Sequence, residues 1–156
     1  MIKNYLIGIL ITLTVFKISH ATENNDLTYN LVPSRKGITV NKEKNIYIFN
    51  KDTENNENIE SIYLRIHSGK NRNIIFKNND KIEYSFIFTE HSIKQIDFII
   101  KSDNKILLSN EHVLSKNNLS VKGTHIFNSD VDTSLWIKIL YPVFPVNFEF
   151  EIKSQI

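Results

Sequence analysis

The chain has 156 residues, with 19 basic and 17 acidic side chains and no cysteine. Without a thiol it can form no disulfide, thiolate nucleophile, zinc–thiolate site or lipid-modified cysteine. The formal charge of +2 rests on Lys3 and Lys17, and beyond residue 21 the basic and acidic side chains balance. That balance excludes the electrostatic footprint of a nucleic-acid binder and the polybasic cluster of a membrane-surface binder.

Residues 1–21 have the three-part form of an export signal. Lys3 supplies the positive start, Tyr5 to Phe16 an apolar run of 12 residues, and Ser19 and Ala21 the small residues before a cut. The run is shorter than the roughly 20 apolar residues that span a bilayer. The expectation is a cleaved signal peptide over 1–21 and a single domain over 22–156. The product would be secreted or periplasmic, with no stable membrane insertion.

From residue 22 onward the dominant pattern is alternation. Side chains on an extended strand point to opposite faces in turn, so alternation buries one face and wets the other. Short strands are expected at 27–32, 38–41 and 45–50, with a bend at Gly37, followed by the polar loop DTENNEN at 52–58. A strand at 59–67 puts Ile62, Leu64 and Ile66 on one face and Tyr63, Arg65 and His67 on the other. HSGKNRN, 67–73, contains Gly69-Lys70 but lacks the second glycine and the hydroxyl of a phosphate-binding loop, so it reads as a hairpin turn. A strand at 72–77 then meets the turn KNND, 77–80, whose Asn and Asp residues tolerate left-handed backbone.

The strand at 81–89 aligns Ile82, Tyr84, Phe86 and Phe88 and ends at Glu90 and His91. Acid–base chemistry needs such groups to converge. Neighbours on a strand diverge, so the pair reads as the wet end of a strand. Strands follow at 94–101, where Ile96, Phe98 and Ile100 share a face, and at 105–109, joined by the turn SDN. His67, His112 and His125 show no metal-ligand spacing and read as single surface residues. Asn118-Leu119-Ser120 fits the glycosylation acceptor pattern. A strand at 119–127 contains Gly123, expected at a bend. In NSDVDTS, 128–134, Asp130 and Asp132 with Asn128 and Ser134 offer alternating oxygens of the kind calcium takes. The segment lacks the glycine and terminal glutamate of an EF-hand, so a solvated turn is the first reading and weak calcium binding the second.

The last strands are expected at 134–141 and 146–153, separated by Pro142 and Pro145. SLWIKILYPVFPV is apolar on both faces, as in a central strand buried twice or an edge awaiting a partner. Trp136, Leu140, Tyr141 and Phe144 are the candidate partner-binding residues, because aromatic side chains anchor interfaces. No serine sits in a nucleophile elbow. No catalytic residue, cofactor or metal site is therefore nominated.

Nine to eleven strands without a helical stripe imply an all-β fold, an antiparallel β-sandwich of immunoglobulin-like or jelly-roll type. The favoured function is an exported, non-catalytic domain that binds another protein by edge pairing or an apolar patch. It would serve in an envelope, a secretion apparatus or a surface appendage, or as a secreted host-interaction factor. The alternative is a carbohydrate- or calcium-dependent binder, or a hydrolase, built on the loops of the same sandwich.

Overall fold

Alternating sequence becomes alternating burial throughout the computed structural model, which describes residues 29–52 and 58–155. The expected signal peptide and the middle of the loop at 52–58 lie outside the described residues. Eleven strands form: β1 (Tyr29–Pro33), β2 (Ile38–Glu43), β3 (Ile46–Lys51), β4 (Ser61–Ser68), β5 (Ile74–Phe76) and β6 (Lys81–Phe88). They continue with β7 (Gln95–Ser102), β8 (Lys105–Val113), β9 (Ser120–Ile126), β10 (Val131–Leu140) and β11 (Val146–Gln155). Among the described residues there is no helix, and hence none long and apolar enough to cross a membrane.

The strands make two antiparallel sheets. The first runs β1-β4-β10-β7-β8, with β5 also paired to β10, and the second runs β2-β3-β11-β6-β9. From β3 onward the chain keeps switching sheets, except through β4–β5 and the β7–β8 hairpin. Leaving out β1, β2 and β5, this is the strand order of a jelly roll, which decides between the two expected sandwich types. The central strand is β10 in the first sheet and β11 in the second.

Between the sheets the apolar faces meet. Ile62, Leu64 and Ile66 of β4, Leu135, Ile137 and Ile139 of β10, and Ile96, Phe98 and Ile100 of β7 are fully buried. Opposite them stand Phe49, Phe86 and Phe148 of the second sheet, also fully buried. Rings fill much of the gap: Phe49 stacks on Phe148 at 5.3 Å, Phe76 on Phe127 at 4.2 Å and Tyr84 on Phe98 at 4.0 Å. Each ring brings a large apolar area, so a domain without cross-links draws its stability from this layer.

Turn chemistry is local. Asp103 and Asn104 both have positive φ, 47° and 64°, between the paired residues Ser102 and Lys105. That is the two-residue turn whose twist suits a hairpin. Asp80 is buried, and its Oδ2 accepts from the Lys77 amide at 2.7 Å, closing the KNND turn that carries the chain from β5 to β6.

The segment 67–73 makes the expected hairpin turn: Ser68 and Asn71 exchange backbone hydrogen bonds of 3.0 and 2.9 Å across Gly69-Lys70, pinching off a tight loop. The pairing goes no further, and the chain resumes as β5, antiparallel to β10 like β4 before it. One expectation is corrected: Gly123 is not at a bend. It sits inside β9, opposite Tyr84, because a Cβ there would fall 2.6 Å from Tyr84 Cε1 and nearer still to Cζ and Oη.

Candidate functional site

The outer face of the first sheet carries the site. Along β10, Leu135, Ile137 and Ile139 point inward, so Ser134, Trp136 and Lys138 point outward. Register places Arg65 of β4 and Ile99 of β7 on either side of Trp136, and Lys101 beside Ser134. Two cations lie against the indole: the Arg65 guanidinium carbon is 5.0 Å and Lys101 Nζ 5.2 Å from the ring centroid. The indole N–H donates to Ser134 Oγ at 2.8 Å, which fixes the ring on its strand.

The pinched loop supplies one wall. It brings Arg72 and Asn73 to Arg65, whose Nε donates to the Arg72 carbonyl at 3.3 Å and whose Nη2 donates to Asn73 Oδ1 at 2.6 Å. The β7–β8 turn supplies the other wall with Asp103 and Asn104. The result is a cleft of about 220 Å³ lined by Trp136, Ser134, Thr133, Asp132, Arg65, Asn73, Lys101, Asp103 and Asn104. One ring lies amid hydroxyl, amide, carboxylate and cationic groups. Beside it, His67 is held below its ordinary pKa, first by burial and then by the positive charges of Arg65 and Arg72.

A second polar cluster closes the β8–β9 end of the sandwich. Asn110 Nδ2 donates to Tyr84 Oη at 3.1 Å, and Tyr84 Oη shares a 2.8 Å hydrogen bond with His112 Nε2 whose direction follows the imidazole tautomer. Burial lowers the pKa of His112 and of His125, whose ring stands edge-on to Phe127 at 4.7 Å. Neither is the exposed single histidine that the sequence suggests.

The other candidates scatter. Glu90 and His91 are exposed at the far end of β6. Asp130 Oδ1 accepts from the Asn78 amide at 2.9 Å, while Asp132 lines the cleft, so the two do not converge. Among the described residues no group of three His, Cys, Asp or Glu side chains is placed to hold a metal ion. Of the four candidate partner-binding residues, Trp136 alone lines the cleft. Leu140 is half-buried, Phe144 packs against the core, and Tyr141 is exposed with Lys94 Nζ 5.3 Å from its ring. Arg65, Asn73, Lys101, Asp103 and Asn104 come from three separate segments. Alternation told only that Arg65 faces outward.

No protein-family model matches the chain. No curated protein matches it. Among solved structures, it is similar to the carbohydrate-binding module TmCBM61, solved with β-1,4-galactotriose, at 8% identity over 87% of this chain and 92% of that one, TM-score 0.46. It is also similar to the module CBM6cm-2 of Cellvibrio mixtus lichenase 5A, solved with cellotriose, at 10% identity over 83% and 97%, TM-score 0.47. A family 32 module of C. perfringens NanJ with galactose matches at 15% identity over 80% and 93%, TM-score 0.40. The likeness is one of two-sheet architecture.

The expectation of a protein partner is corrected here. The segment nominated for edge pairing has no free edge. β10 is flanked by β4 and β7 and β11 by β3 and β6, so their ladders are already used. Trp136 lies under two cations in polar company, and Phe144 is turned to the core.

Proposed function

We propose that this domain is an exported, non-catalytic carbohydrate binder and that the cleft at Trp136 receives the sugar. A sugar ring presents an apolar face of C–H groups rimmed by hydroxyls. It asks for a flat, weakly hydrated surface surrounded by donors and acceptors. The single observation that carries the reading is the lining of the cleft. One indole, flanked by Arg65 and Lys101, lies among Asn73, Asp103, Asn104, Asp132, Thr133 and Ser134, a mostly polar lining that offers donors and acceptors to sugar hydroxyls and a single ring to their C–H face. Three elements already fixed by ladders and turns hold these groups, so little ordering is left for the ligand to impose. Export fits the apolar run at 5–16, which would deliver the domain to a secreted or periplasmic setting.

Trp136 is the chain's one tryptophan, so intrinsic fluorescence reports on the cleft directly. Titration with galactose, β-1,4-galactotriose, cellotriose and a wider glycan array should produce a saturable emission change with at least one glycan. Trp136→Ala should then weaken binding, read by calorimetry, by roughly 30-fold, the equivalent of about 2 kcal/mol for a central aromatic contact. An array without binding, or a Trp136→Ala protein that keeps full affinity, would overturn the reading.

A further inference from the structure

The charges in the cleft are sorted along it. Arg65 and Lys101 lie on the indole, and His67, two residues beyond Arg65, is next to Ile66, the register partner of Leu135. The carboxylates belong to the other end. Asp132 is four residues from Trp136 on the same strand, about 13 Å away at the rise of a β-strand. Asp103 is at the tip of the β7–β8 turn. The basic end is also preset. Arg65 spends two of its donors on the Arg72 carbonyl and Asn73 Oδ1, which aims the rest of the guanidinium while leaving N–H groups unspent.

Resting on the carbohydrate reading, we infer that the sugar seated on Trp136 carries an anionic group, a carboxylate or a sulfate, received between Arg65 and Lys101. The hydroxyls of a neutral sugar are served by Asn104, Ser134 and the two carboxylates. Laying a neutral ring over Arg65 and Lys101 would strip water from two cations and return nothing to them. An anion there turns that cost into charge-assisted hydrogen bonds, and a guanidinium fits the two oxygens of a carboxylate or sulfate side by side. Asn73 is a positioning residue in this scheme: it touches Arg65 and holds it in place.

The test compares three probes: a uronate oligosaccharide, the same oligosaccharide with its carboxylates reduced to hydroxymethyl groups, and a sulfated oligosaccharide. An acidic form should bind about tenfold or more tighter than the reduced one, the effect of one charged hydrogen bond. Preference for uronate or for sulfate identifies the source of the anion. The margin should shrink with added salt and in Lys101→Met, which keeps the alkyl stem against the indole. Asn73→Ala should weaken the acidic ligand alone, and Asn73→Gln, which keeps a neutral amide oxygen for Arg65, should restore it. Thermal melts confirm that each variant is folded. Equal affinity for the acidic and reduced forms overturns this inference and leaves the carbohydrate reading standing. Binding to no oligosaccharide of any kind removes both.

Discussion

Gly123→Ala is a small change that the packing does not admit. The added methyl would lie 2.6 Å from Tyr84 Cε1 and closer to Cζ and Oη, so the tyrosine has to swing aside. It has nowhere to go: the side chain is 2% exposed, its ring stacks on Phe98 at 4.0 Å, and its hydroxyl joins His112 and Asn110. Overpacking of this kind costs about 1–3 kcal/mol, and two lost hydrogen bonds add about 1 kcal/mol each. The expected loss is therefore about 3–5 kcal/mol. At about 3–4 °C per kcal/mol for a domain of this size, the melting temperature should fall by roughly 10–20 °C. Urea or thermal unfolding followed by circular dichroism measures it. The control is Tyr84→Leu, costly in its own right, in whose background the methyl has room. Adding Gly123→Ala there should cost less than about 1 kcal/mol, a large coupling between two touching sites. A Gly123→Ala protein melting with the parent, or an equal cost in both backgrounds, would refute the steric argument.

Two further outcomes are expected. His67, His112 and His125 all have pKa values lowered from 6.5 by burial, His67 also by its arginine neighbours. Below that value the unfolded chain binds more protons than the folded one, so stability is full above it and falls as the pH drops through the lowered values. The melting temperature should decline from neutral to mildly acidic pH, and His112→Gln, which still offers a hydrogen-bonding group to Tyr84, should flatten the decline. Thr133 is buried, and its hydroxyl donates to the Ile74 carbonyl at 2.8 Å, tying β5 to β10. Thr133→Val should destabilise by about 1–2 kcal/mol in chemical denaturation, with faster amide exchange confined to β5.

The strand inventory was legible because it depends on near neighbours. Alternation marked β4, β6, β7, β10 and β11, turn residues delimited the shorter runs in a count of nine to eleven, and Asp103-Asn104 marked the β7–β8 hairpin. Pairing was not legible, since register across a sheet is fixed by residues far apart in the chain. β8 illustrates the limit. Its expected end was residue 109, but the strand runs to Val113. At the sheet edge, Asn110 and His112 face inward and bond Tyr84 where a more central strand would present apolar groups, so the alternation that marks a strand fades. Gly123 misled for a related reason. Its use is to leave room for a ring from another strand, and nothing in its own neighbourhood says so. The cleft is the extreme case: Trp136 was visible as an outlier, but Arg65, Asn73, Lys101 and Asp103 gain meaning only when folding assembles them.

β10 and β11 occupy the middle of the two layers, yet they are the last strands in the sequence. A nascent chain that has been synthesised only as far as residue 130 owns the flanks of both layers and the spine of neither. What such a chain holds is four two-stranded ribbons, β1–β4, β7–β8, β2–β3 and β6–β9, with nothing between them; residues 131–155 are the zip fastener that joins both layers.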